Sequence, residues 1–119
     1  MFMSGNVTVM VSDFERAMRF YTETLGMELQ YRAGDDWAEV GMRGLRVGLH
    51  TAGEHDPRPG AAGGLSIGLE VESMTKAKAQ LEARGVVFEH QVDDGPVRLA
   101  FFRDPDDTPL YLCEVVSPT

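Results

Sequence analysis

Cysteine is nearly missing from this sequence: Cys113 stands alone among 119 residues. No disulfide can form within the chain, which agrees with a reducing compartment. Basic residues are scarce as well, since 11 Lys and Arg against 19 Asp and Glu leave a formal net charge of −8. Nucleic acid needs a basic surface and is therefore excluded as an expected partner. The balance suits a neutral or cationic small molecule, or simply keeps the protein in solution. No apolar run approaches a membrane span, and residues 1–5 are too short and mixed for a secretory leader. The expectation is a cytoplasmic protein with no membrane partner. A phosphate-cradling loop is absent too, because residues 60–64 lead into a strand with no P-loop lysine behind them. What is there, 43% hydrophobic and 25% charged residues, is the composition of a globular domain able to bury a core.

That core is organised around residues 6–29, NVTVMVSDFERAMRFYTETLGMEL. Val7, Val9 and Val11 alternate with Asn6, Thr8 and Met10, the period-2 pattern of a strand. Ser12 or Asp13 can cap a following helix, and Ser12 with Glu15 has capping-box spacing. Phe14, Ala17, Met18, Tyr21 and Leu25 form an apolar helical stripe opposite Glu15, Arg16, Arg19 and Glu23. Gly26 stands where a left-handed C-cap belongs.

The plan recurs about sixty residues later in LSIGLEVESMTKAKAQLEARGVVFE, residues 65–89. Val11 matches Val71, Ala17 matches Ala77, and Gly26 matches Gly85 after a one-residue slip. Ser73 can cap the second helix, with Met74, Ala77 and Leu81 as its stripe. Further strands are predicted over 27–32, 37–42 and 45–50 in the first module, and over 86–92, 97–103 and 109–116 in the second. Turns are predicted at 93–96 and 104–108. Residues 52–64, with two prolines and four glycines, read as the linker. The expected fold class is α+β: a single domain over 1–119 made of two βαβββ modules, about 5–51 and 65–117. Each is a mainly antiparallel sheet with a helix on its outer face. Two such sheets can form a cup within one chain, or pair with those of a second.

The paired modules, VSDFERAMRFYTETLGMEL and FFRDPDDTPLYL together resemble the vicinal oxygen chelate superfamily. That group includes glyoxalase I, extradiol dioxygenases, fosfomycin-resistance enzymes and bleomycin-resistance proteins. The resemblance runs from about residue 6 to residue 114 and implies a cup-shaped sheet and a homodimer. It implies less about activity, because metalloenzymes and metal-free binders share this fold. Enzymes of the superfamily place metal-ligating His or Glu on the first and last strand of each module. Carried onto this chain, those positions are Asn6, Gly48, Ser66 and Tyr111. None is an ordinary ligand for a divalent metal, and Gly48 has no side-chain donor. The resemblance therefore implies no cofactor, a divalent metal only at a shifted site, and neither metal-dependent glyoxalase nor dioxygenase activity.

If the strand alternation holds, Asn6, Thr8, Met10, Arg46, His50, Ser66, Glu70 and Tyr111 line one concave face. Trp37 and Glu39 share a face of the third strand, and Arg98 shares one with Phe102. Which faces of the third and seventh strands point inward stays open. Glu114, three residues after Tyr111, points to the opposite side. His50 is offset by two from Gly48, but a single strand histidine is more often structural than a ligand. His55 and His90 lack metal-ligand spacing. Cys113 alternates with Leu112 toward the side of Tyr111, and a cysteine nucleophile needs an activating base. Aromatic walls with a few polar anchors are what small-molecule pockets are built from. The same residues could equally form a filled core or a dimer interface.

Two functions follow. One is a binding protein for a small organic ligand, with His50 and Arg46 for an anionic group or Glu39 and Glu70 for a cationic one. The alternative is a lyase, isomerase or dioxygenase-type enzyme with shifted metal ligands, or with metal-free acid–base chemistry at His50 and a carboxylate.

Overall fold

The computed structural model describes residues 1, 3–61 and 64–116; linker residues 62 and 63, and residue 117 at the end of the second module, lie outside them. The chain forms two compact units, Met1–Ala61 and Ala62–Thr119. The first contains β1 (Val7–Val11), α1 (Phe14–Arg19) with a π-helical turn (Phe20–Thr24), β2 (Glu28–Ala33), β3 (Trp37–Met42) and β4 (Leu45–Thr51). Its sheet order is β1-β4-β3-β2, with β1 parallel to β4 and the other pairs antiparallel. The second contains β5 (Ile67–Glu70), α2 (Met74–Ala83), β6 (His90–Asp94), β7 (Val97–Arg103) and β8 (Pro109–Val115). Its order, β5-β8-β7-β6, repeats the topology with β5 parallel to β8. The chain is α+β with two βαβββ modules, as the sequence predicts.

Each helix covers one face of its sheet. In the first unit Val9, Val11, Ala38, Val40, Val47 and Leu49 are buried together with Phe14, Ala17, Met18 and Tyr21 from the helical stripe. In the second the buried set is Ile67, Leu69, Ala100, Phe102, Leu110 and Leu112 with Met74 and Leu81. Gly26 and Gly85 close the helices at φ 78° and 95°, a conformation that side chains with a β-carbon disfavour.

Three details differ from the sequence-based expectations. Of the two expected caps Asp13 is the one used, its Oδ1 accepting from Arg16 N at 3.1 Å, while Ser12 Oγ accepts from Arg16 Nη2 at 3.0 Å. The Ser12–Glu15 box is not formed, because the residue three after the true cap is Arg16 and Glu15 instead meets Arg32 at 2.6 Å. Arg32 also meets Asp35 at 2.8 Å and lies over the Phe14 ring. Its hydrogen bonds to Glu15 and then Asp35 hold its pKa above the ordinary guanidinium range. The second difference is the π turn, where Leu25 N donates to Phe20 O at 2.9 Å, an i→i+5 bond. A π turn accommodates one extra helical residue, which accounts for the one-residue slip between the two repeats. The third is β6, which starts at His90 rather than at residue 86. Val86 N donates back to Leu81 O at 3.0 Å and finishes the end of α2, and sheet pairing begins with Glu89 N to Phe101 O at 2.8 Å.

Two polar side chains tie strands to their surroundings. Glu114 points to the helix side, where Oε1 accepts from Met74 N at the start of α2 and Oε2 lies 3.8 Å from Arg98 Nη1. A carboxylate suits a helix N-terminus. In the turn from β7 to β8, Asp104 is buried, and its Oδ1 accepts from Asp106 N and Thr108 N, both at 2.8 Å.

Candidate functional site

The side chains opposite the core share the helix-free face of each sheet. In the first unit these are Thr8 and Met10 on β1, Arg46, Gly48 and His50 on β4, and Trp37, Glu39 and Gly41 on β3. The pairings Thr8↔Gly48↔Glu39, Met10↔His50↔Trp37 and Gly41↔Arg46 place them in adjoining ranks. Asn6 joins them from just before β1, its Nδ2 donating to Glu39 Oε2 at 3.1 Å. Seven residues singled out in the sequence, Asn6, Thr8, Met10, Trp37, Glu39, Arg46 and His50, thus lie on one face of one sheet. Trp37 and Glu39 on the third strand face away from α1.

Glu39 and Arg46 are not separate anchors for ligands of opposite charge. Arg46 Nε stands 3.2 Å from Glu39 Oε1, and the Glu39 side chain is only 17% exposed. With Thr8 Oγ1 donating to Asn6 Oδ1 at 3.1 Å, the four form a connected polar cluster. Its charge is neutralised internally, so it offers a polar surface rather than a net field.

Beside it the Trp37 ring lies across Gly48. A β-carbon at Gly48 would stand within 3 Å of Trp37 Cη2 and Cζ3 and 3.0 Å from Thr8 Oγ1. His50 meets the indole edge-on, with centroids 6.1 Å apart at 62°. Its Nδ1 is 3.6 Å from Asp56 Oδ2, which accepts from Gly53 N at 2.8 Å and so belongs to the turn after β4. Asp56 carries no signal for this in the sequence beyond its place in the linker.

In the second unit Gly68 and Glu70 on β5 share a face with Tyr111 and Cys113 on β8, through the pairs Gly68↔Tyr111 and Glu70↔Cys113. Ser66 lies just before β5 and is exposed. Leu99 and Phe101 hold that face on β7, while Arg98 and Phe102 point to the helix side. The aromatic–glycine arrangement recurs here: a β-carbon at Gly68 would stand within 3 Å of Tyr111 Cζ, Oη and Cε2. Phe101 follows at 5.8 Å from Tyr111, and His90 at 5.7 Å from Phe101. Phe101 and His90 escaped the sequence reading, since both parities of β7 are apolar and His90 looks like an ordinary edge residue.

The donor set does not fit a divalent metal. Asn6 has its amide engaged with Glu39, Gly48 has no side-chain donor and is covered by the indole, and Ser66 and Tyr111 offer hydroxyls in place of the imidazole and carboxylate donors of a transition-metal site. Among the described residues no three His, Cys, Asp or Glu side chains converge.

Duplicated βαβββ sheets with polar and aromatic residues on the helix-free faces define a protein of the paired βαβββ-module class. Residues 4–110 match the family model for the Glyoxalase/Bleomycin resistance protein/Dioxygenase superfamily, and the chain belongs to it. It is 32% identical to the uncharacterized protein YaeR of Escherichia coli over 92% of this chain and 93% of that one. Among solved structures it resembles TnmS3, an antibiotic binding protein from Streptomyces sp. CB03234, at 29% identity and TM-score 0.79, covering 97% and 98% of the two chains. A superfamily member from Sphaerobacter thermophilus is similar at 30% identity and TM-score 0.79, covering 96% and 98%. No helix among the described residues is long and apolar enough to cross a membrane.

Proposed function

We propose that this protein binds a small organic molecule without a catalytic metal. The observation that carries the reading is the Trp37 ring seated on Gly48, at a position where the resemblance implies a metal ligand in the enzymes. A ring there replaces a donor by a flat apolar surface, flanked by the Asn6–Thr8–Glu39–Arg46 cluster as polar anchor. Such a mixture is typical of ligand pockets. The similarity to an antibiotic binding protein supports binding rather than turnover. Trp37 is the sole tryptophan, so a ligand reaching this face changes the emission of one identified reporter. A thermal-shift screen of metabolites and metals, followed by fluorescence titration, tests the reading. Thr8→Val, which removes one hydroxyl of the polar cluster, should weaken binding by roughly 0.5–1.5 kcal/mol and leave the fold intact. Stabilisation by a transition metal at stoichiometric amounts, with no organic ligand perturbing Trp37, would count against it.

A second reading is favoured by His50, which faces Asp56 at 3.6 Å beside Trp37. A carboxylate at Nδ1 orients an imidazole for acid–base work at Nε2, so a metal-free enzyme acting at His50 is the alternative.

The protein acts as a homodimer in this reading. Leu29 and Tyr31 on the edge strand β2 are 50% and 59% exposed, and Val7 on the edge strand β1 is 40% exposed. Apolar residues on unpaired edges invite a second chain. Sedimentation at micromolar concentration should give twice the chain mass; a single-chain mass unchanged on concentration would refute pairing.

A further inference from the structure

We infer that the second unit holds a planar, conjugated molecule, uncharged or cationic, on a row of rings. The inference rests on the ligand-binding reading above and narrows it to one chemical class. His90, Phe101, Tyr111 and Gly68 occupy one rank of the sheet, through the pairs His90↔Phe101, Phe101↔Tyr111 and Gly68↔Tyr111. Three aromatic side chains therefore stand on three adjacent strands, and the fourth strand contributes a glycine.

The glycine decides how the last ring lies. The tip of Tyr111 occupies the volume that a β-carbon at Gly68 would need, so the ring leans across β5 instead of standing clear of the sheet. A ring resting on backbone turns its other face outward. Neighbouring rings are tilted by 40° and 31° at centroid spacings of 5.8 and 5.7 Å, which makes a continuous π surface across β6, β7 and β8. Stacking on such a surface favours flat partners.

The rings are not needed to fill the core beneath α2. Ala100, Phe102 and Leu112 on the opposite face are at most 2% exposed, whereas Phe101 and Tyr111 are half-buried and His90 is exposed. Charge sets the remaining preference. Glu70, exposed, lies two residues from Gly68 on the same face. Arg103, at the far end of β7, is paired with Glu89 at 3.1 Å and donates to Asp107 O at 3.0 Å. Among the described residues the charge left over near the row is thus negative, which opposes an anionic ligand.

The test uses the whole chain and three probes: proflavine (planar, cationic), 1-adamantylammonium (cationic, without a π face) and pyrene-1-sulfonate (planar, anionic). Proflavine should bind, and more tightly than either of the others. Phe101→Leu keeps apolar bulk and removes the ring, so it should weaken proflavine by about 3- to 10-fold and adamantylammonium by less than about 2-fold. His90→Ala, at the exposed end of the row, should weaken proflavine by about 2-fold and serves if Phe101→Leu fails to fold. Equal losses for both cations overturn the stacking role, and tighter binding of pyrene-1-sulfonate overturns the charge preference. If proflavine fails while another molecule binds, this inference falls and the ligand-binding reading stands; if neither the probes nor any screened metabolite binds, both fall. If no probe binds and Phe101→Leu dissociates a dimer, the row is a surface between copies of the chain and the inference is wrong.

Discussion

Replacing Gly48 by alanine should destabilise the protein by about 1–3 kcal/mol, the usual cost of overpacking a filled site. The added β-carbon meets Cη2 and Cζ3 of Trp37 within 3 Å and Thr8 Oγ1 at 3.0 Å, and the indole can yield only by leaving its seat. The expected signature is therefore coupling between the two residues. Trp37→Ala removes the obstacle, so Gly48→Ala in that background should cost less than about 0.5 kcal/mol, and a double-mutant cycle should return most of the first cost as interaction energy. Additive effects across the cycle would mean that the ring does not rest on Gly48. The single variant should also shift Trp37 emission, because the reporter itself moves. The same contact bears on restoring a metal site. Gly48→Glu must first displace the indole, so adding His or Glu at the four carried-over positions costs stability before any ion can bind.

Much of this arrangement was legible in the sequence wherever one periodicity dominated. Val7, Val9 and Val11 against Asn6, Thr8 and Met10 leave no doubt about the faces of β1, and the stripe from Phe14 to Tyr21 is one-sided. The repeat was legible because its capping residues, stripes and terminal glycines recur together. The faces of β7 were not, because Val97, Leu99 and Phe101 are as apolar as Ala100 and Phe102, and hydrophobicity cannot rank two apolar parities. The π turn left no trace except the slip between Gly26 and Gly85, since the wider turn uses ordinary helix-forming residues. Pairings across strands were the largest loss. Glu39 with Arg46, Trp37 on Gly48 and Tyr111 on Gly68 each depend on cross-strand register, which no single strand encodes. Gly48 in particular reads as a missing ligand when taken alone, and as a seat for a ring only once β3 is beside it.

Asp104→Ala should cost about 2–4 kcal/mol, the largest loss expected of any single change proposed here outside the apolar core. Asp104 is 4% exposed, and its carboxylate receives two backbone N–H groups, from Asp106 and Thr108, at 2.8 Å each. Bonds to a charged acceptor contribute roughly 1.5–3 kcal/mol apiece, and sharing one oxygen keeps the sum below twice that. Removing it also strands the N–H of Thr108, itself 9% exposed, where water cannot readily replace the lost partner. The turn has backbone bonds as well. Its own bonds, Asp104 N to Thr108 O and Asp107 N to Asp104 O, both at 3.0 Å, have to sustain a left-handed Asp107 at φ 67°, a conformation unfavourable for a residue with a β-carbon. Asp104→Asn keeps an oxygen in place without the charge and should cost about half as much. Thermal unfolding separates the cases, since roughly 4 °C accompanies each kcal/mol in a domain of this size. An alanine variant that melts within 2–3 °C of the parent would show that the turn stands without its carboxylate. A loss as large for Asn as for Ala would place the effect in the charge rather than in the acceptor geometry.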